Sequence, residues 1–144
     1  MKLSLSTKVT GSVSQIKAGF DVSLFKALAP PFPRLNVKRF DGCKKDDLVE
    51  LELDFLTHKQ SWISLIIHDQ TKEDKFEFID IGEKLPFPFK KWRHHHLVEK
   101  DQGGSIISDN IEYSSGLILL DYLLFPLLFL QFFYRKPVYR KIFS

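Results

Sequence analysis

The stretch LILLDYLLFPLLFLQFFYRK, Leu117 to Lys136, limits what this chain can become more than any other. Only Asp121 and Gln131 interrupt its apolar run from Leu117 to Tyr134. A bilayer span needs about 20 predominantly apolar residues, so the length is marginal. A carboxylate at mid-span costs about 2.5–3.5 kcal/mol, and Asp121 lies near one end, where the cost is smaller. The run is therefore either a membrane span or a long helix held by the rest of the chain, and the preceding residues decide between them.

Between Leu35 and Tyr113 the hydrophobic period is two. In DLVELELDFL, Val49, Leu51, Leu53 and Phe55 fall on one face, while Glu50, Glu52 and Asp54 fall on the other. That alternation marks a half-buried antiparallel strand. RLNVKRFDG, SWISLIIHD, KFEFIDIG, KKWRHHHLVEK and SIISDNIEYS read as further strands, with DQTKED and DQGG as turns. Short connections between successive strands predict a meander. A sheet with one apolar face needs a cover, and only the C-terminal run is long enough to supply it. We expect a helix packed on the sheet and no transmembrane span.

Stepping 100° per residue with Asp121 outward places Leu119, Leu123, Leu127, Leu130 and Tyr134 inward. Phe125, Leu128 and Phe132 then share the side of Asp121. A helix apolar all round is covered on more than one side. The second cover is loops and the short helices, a homodimer contact, or peripheral membrane contact. Pro126 predicts a kink or a fresh helix start near Phe125.

Upstream, MKLSLSTKV alternates and reads as the first strand; it has no apolar h-region, so no secretory signal is expected. Ser12 or Ser14 can cap one short helix and Asp21 a second; Pro30, Pro31 and Pro33 end helical structure. The length suits one domain over residues 1–144. Fourteen phenylalanines imply a large core or a lined cavity. The net charge of +3 is mild, and the basic stretches KKWRHHH and YRKPVYRK read as solvated faces, so a nucleic-acid partner is not expected. The single cysteine, Cys43, excludes an internal disulfide. A cytoplasmic protein is expected.

Several side chains can carry chemistry. His94 and His96 share a strand face with Trp92 and Val98, while His95 points the other way. The two imidazoles are partly buried structural groups, a general acid–base pair, or two ligands of a metal whose third would be His68, Asp80 or Asp109. The spacing demands no metal, and none is expected. Asp109 alternates with Ile107, Ile111 and Tyr113; turned inward, it needs a partner such as a histidine or Arg135. Trp62, Trp92, Phe76 and Phe78 are core or cavity wall. No histidine-and-acid combination lies near Cys43 in sequence, and no glycine-rich phosphate loop is present.

The order of strand, two short helices, about six strands and one long helix resembles the α+β helix-grip fold of the START, Bet v 1 and polyketide-cyclase (SRPBCC) superfamily. It most resembles the small bacterial ligand-binding members described as cyclase/dehydrase-like or cell-division-inhibitor-like. LFKALAPPFP is similar to that family's helix exit into its second strand, and PFPFKKWRHHHLVEK to a strand with Trp and two His at alternate positions. SDNIEYSSG with FFYRK is similar to its last strand and its grip helix. The resemblance implies a curved antiparallel sheet of six to seven strands gripping the C-terminal helix over a hydrophobic cavity. It implies a lipid-like, polyketide-like or isoprenoid-like small molecule as partner, and no cofactor. The implied lining is Phe25, Leu51, Leu53, Trp62, Phe76, Phe78, Trp92, His94 and His96 with Leu119, Leu123, Leu127, Leu130 and Tyr134. The alternatives are a cyclase/dehydratase-type enzyme using His94, His96 and Asp109, and an interaction protein using the apolar helix.

Overall fold

The computed structural model describes every residue, Met1–Ser144. Strand β1 (Lys2–Val9) leads into α1 (Val13–Gly19) and α2 (Val22–Ala27). Six strands follow: β2 (Arg34–Phe40), β3 (Leu48–Asp54), β4 (Lys59–Lys72), β5 (Lys75–Lys84), β6 (Lys91–Asp101) and β7 (Gly104–Ser114). The chain closes with α3 (Ile118–Phe133) and α4 (Arg135–Phe143). The strands form one antiparallel sheet in the order β1-β7-β6-β5-β4-β3-β2.

Local chemistry explains the early elements. Ser12 accepts the Gln15 N–H, and the Gln15 side chain accepts the Ser12 N–H, a reciprocal capping box for α1. Asp21 accepts the Leu24 N–H and caps α2. On β3 the burial alternates as the sequence predicts: Val49, Leu51 and Leu53 are buried between partly exposed acids. The register shifts between Val37 and Arg39 on β2, and at two places on β4. Such bulges bend and twist strands and curve the sheet. The β4–β5 hairpin runs further than expected. Asp69 to Lys72 stay paired with β5, leaving only Glu73 and Asp74 as the turn where DQTKED was expected.

The C-terminal segment departs most from the sequence reading. Asp121 is 4% exposed and faces the sheet. Its carboxylate accepts the Ser115 N–H (2.7 Å) and Oγ–H (2.6 Å), and the Tyr113 hydroxyl donates to its carbonyl (2.8 Å). The two bonds from Ser115 hold the Asp121 carboxyl below its usual pKa, and all three lock the β7–α3 corner. With Asp121 inward, Leu128 and Phe132 follow it onto the sheet. Leu119, Leu123, Leu127, Leu130 and Tyr134, expected inward, are all exposed. The helix also runs through Pro126 without the expected restart; the junction between helices falls at Tyr134. Pro126 is exposed, so the Tyr122 carbonyl that loses its helical partner lies on the outer face.

YRKPVYRK is not a solvated face throughout. It forms α4, which buries Tyr139 and Phe143 against β1 and α1. The Gly11 N–H donates to the Phe143 carbonyl (2.7 Å). A Cβ on Gly19 would lie 2.6 Å from the Phe143 ring, so close packing requires glycine there. The core divides into two clusters. One joins α1, α2 and α4 to the middle of the sheet through Ile16, Ile66, Ile107 and Tyr139. The other joins α3 to β1, β6 and β7 through Leu3, Trp92, Ile111 and Phe132.

Candidate functional site

Between the curved sheet, α2 and α3 lies a cavity of about 320 Å³. Of its 34 lining residues, 22 are hydrophobic, so most of any occupant's surface would be apolar. Among the sequence candidates, Phe25, Leu51, Leu53, Trp62, Phe78, Trp92, His94 and His96 line it, and Leu127 reaches it from the exposed side of α3. Phe76 does not; it packs in the first core cluster against Phe20 and Phe78. Leu119, Leu123, Leu130 and Tyr134 do not reach the cavity, for the facing reason given above. Sequence reasoning missed the helical wall of Leu24, Leu28, Leu124, Leu128 and Phe132 and the Pro86–Phe89 loop. Pro86 and Pro88 interrupt strand pairing in that loop, and its approach to the cavity is a long-range fact.

One wall is polar. Antiparallel register sets Asp80 opposite His94, and His96 opposite Asp109. The hydrogen bonds run diagonally instead: His96 Nε2–H donates to Asp80 Oδ2 (2.9 Å), and His94 Nε2–H donates to Asp109 Oδ1 (2.8 Å). The rings of His94 and His96 lie 3.6 Å apart, and His96 stacks on Phe78 at 4.1 Å. Asp109 also accepts from the Arg135 guanidinium (3.4 Å) and the Tyr139 hydroxyl (3.4 Å). Arg135 lies over the Phe132 ring at 4.3 Å, so α3 and α4 are clamped to β7 through one buried carboxylate.

The electrostatics follow from this pairing. Burial alone would raise the Asp80 and Asp109 carboxyls. Hydrogen bonds from the imidazoles, with Arg135 beside Asp109, outweigh it and hold both below the usual range. Burial, reinforced by the neighbouring His96, pushes the His94 imidazole down to about 4. At neutral pH His94 is therefore neutral. Its Nε2–H is committed to Asp109, so Nδ1 carries a lone pair. Burial and Asp109 push the Tyr139 hydroxyl upward, so it stays protonated. Burial raises the Cys43 thiol to about 12, which removes it as a nucleophile.

His95 points to the opposite face, where its Nε2–H donates to Glu77 (2.9 Å). Asp80, His94 and His96 each offer an atom within 4.8 Å of the others, a two-histidine, one-carboxylate set of the kind that can hold a metal. A metal there would have to displace the Asp80–His96 hydrogen bond. Asp109, one of the third ligands considered from sequence, is instead committed to Arg135 and Tyr139, and His68 sits with Glu77.

A seven-stranded antiparallel sheet wrapped on a C-terminal helix over an apolar cavity defines a helix-grip protein. No protein-family model matches the chain. No curated protein matches it either. Solved structures do. The di-domain ARO/CYC StfQ from the steffimycin biosynthetic pathway aligns with a TM-score of 0.70 at 12% identity, over 99% of this chain and 50% of that one. A START superfamily protein from Mycobacterium smegmatis aligns with a TM-score of 0.58 at 11% identity, over 88% of each chain. The major latex-like protein 151 of Panax ginseng aligns with a TM-score of 0.57 at 13% identity, over 91% of this chain and 95% of that one. The chain thus has the fold of the SRPBCC superfamily, shared by START, plant latex-like and aromatase/cyclase proteins.

Proposed function

We propose that the protein binds a small hydrophobic molecule non-covalently in the cavity beneath α3. The observation that carries this reading is the cavity itself: about 320 Å³ and lined mostly by apolar side chains, with Asp80, His94 and His96 grouped on the sheet wall. That volume lies at the small end of the roughly 300–1,000 Å³ typical of ligand sites. Apolar burial would supply affinity, and a single polar group on the ligand would set orientation. Its natural partners are the His94 Nδ1 lone pair, which accepts, and Gln131, which does either; both residues line the cavity. The ligand class is lipid-like, polyketide-like or isoprenoid-like, with at least one hydroxyl or amide donor.

A cyclase/dehydratase-type enzyme is the second reading, and the state of His94 weighs against it. An effective general base has a pKa near the working pH, whereas burial takes His94 down to about 4. Asp109 is engaged by three partners and does not line the cavity.

The test is native mass spectrometry on protein purified without detergent, followed by titration with an apolar fluorescent probe such as anilinonaphthalene sulfonate. Trp62 and Trp92, with rings 4.7 Å apart on the cavity wall, report binding through their own emission. We expect a retained mass lost on denaturation, or a saturable one-to-one probe signal. Filling the cavity with Leu51→Trp should abolish both. A wild-type protein showing neither would sink the binding reading.

A further inference from the structure

Ten large apolar side chains between Leu117 and Tyr134 are exposed, Leu119 at 77% and Leu123 at 70% among them. From Gly116 to Tyr134 no exposed residue is charged, because the one acid in the segment, Asp121, is turned inward. The exposed positions recur at helical spacing: Leu119, Tyr122 and Leu123, Pro126 and Leu127, Leu130, then Phe133 and Tyr134. They form one continuous stripe along the side of α3 away from the sheet. Soluble monomers rarely leave a contiguous apolar patch of more than a few hundred Å² uncovered. Together α3 and α4 are also long and apolar enough to cross a membrane by length and composition.

Two observations say what covers the stripe. The first is charge. After Asp121 the chain has no acidic residue, while Lys136, Arg140 and Lys141 follow the stripe; Arg135, just before them, is turned inward onto Asp109. Lys84, Lys90 and Lys91 bracket the Pro86–Phe89 loop, whose Phe87 is 82% exposed. An apolar face edged by cations is complementary to anionic headgroups over acyl chains. The second is continuity with the cavity. Leu127 and Phe87 are at once exposed and cavity-lining, so the mouth opens within the patch. Phe32 and Leu56, on two other loops, are exposed beside the lining residues Pro33 and Phe55.

We propose that the outer face of α3, with the Phe87 loop, docks on the surface of an anionic lipid bilayer. A second copy seated on the same face would bury Leu127 and Phe87 and seal the mouth. A bilayer satisfies the apolar stripe and the cations together, and sets the mouth against the phase in which an apolar ligand dissolves. The helix does not leave the sheet to insert: Asp121, Leu128 and Phe132 are packed on it, and lifting them would strip the second core cluster. Docking rests on the surface alone. Ligand entry from the membrane rests in addition on the cavity reading above.

Flotation with phosphatidylcholine vesicles, with and without phosphatidylserine, tests this. The full-length protein should float with the mixed vesicles and bind them about tenfold or more tighter than phosphatidylcholine alone, given roughly tenfold or less per cation at the surface. It should be released by an alkaline carbonate wash. The triple variant Leu119→Glu/Leu123→Glu/Leu130→Glu changes side chains that do not reach the cavity. It should lose vesicle binding by more than tenfold while keeping probe binding. If that variant is insoluble, Arg140→Glu/Lys141→Glu should remove the preference for anionic vesicles. Docking is overturned if wild-type protein does not float or if both variants float as it does. It is equally overturned if the triple variant only dissolves a dimer, or if carbonate fails to release the protein, which would mean insertion. Vesicle binding with neither a retained mass nor probe binding would leave docking standing and remove the cavity reading.

Discussion

His94 is the side chain whose environment most changes its chemistry. In the folded protein it takes up its second proton only near pH 4, while in the unfolded chain it does so near its ordinary 6.5. Between those values the unfolded state binds more protons, so stability falls as pH drops. The size is about 3 kcal/mol at full protonation. Asp80 and Asp109 are held below their ordinary carboxyl range, so their contribution is present above that range and lost as pH falls through the folded values. The two losses follow in sequence, histidine first. Urea melts at pH 7, 5.5 and 4.5 should show a falling midpoint, and His94→Gln, which cannot titrate, should flatten the curve over that window. Asp109→Ala leaves Arg135 and the His94 N–H buried without their acceptor. It should cost about 3–5 kcal/mol. A loss under 1 kcal/mol would mean that the carboxylate does not clamp α3 and α4 to β7.

At the scale of elements, the sequence is clear where polar and apolar residues alternate and silent where they do not. Strand β3 writes its orientation in its acids, and the structure has Val49, Leu51 and Leu53 inward as read. The Asp21 cap of α2 was equally legible, and the α1 cap was legible as Ser12 or Ser14; the structure has Ser12, bonded within its own turn to Gln15. In α3 nearly every residue is apolar, so only Asp121 could orient it, and a lone carboxylate is ordinarily placed in water. What turns it inward is Ser115, six residues earlier, which meets it only once the β7–α3 corner exists. The same ambiguity hid half of the cavity wall. Truncation separates the two facings. Leu128→Ala and Phe132→Ala, both on buried side chains, should each cost about 2–5 kcal/mol. Leu119→Ala and Leu130→Ala should change stability by less than about 0.5 kcal/mol. A reversed order in thermal melts would restore the facing expected from Asp121 outward.

Across the whole molecule, cavity and outer stripe make opposite demands on stability. An open cavity forgoes dispersion contacts that a packed core would make, so the empty state is less stable than the fold could be. A ligand bound only to the folded state stabilises it by about 2.7 kcal/mol at a hundredfold excess over Kd. Filling the space covalently should do part of the same work without the ligand. Leu51→Trp places an indole on β3 facing the cavity, beside Trp62 of β4 in cross-strand register. If the cavity is an evolved vacancy, this variant should melt no lower than ligand-free wild type and should show no further rise when ligand is added. If the same space collapses in solution, the indole will overpack it and cost about 1–3 kcal/mol. Differential scanning calorimetry of stripped wild type, loaded wild type and Leu51→Trp separates these outcomes. The stripe on α3 is untouched by the substitution, so vesicle flotation of Leu51→Trp should match wild type.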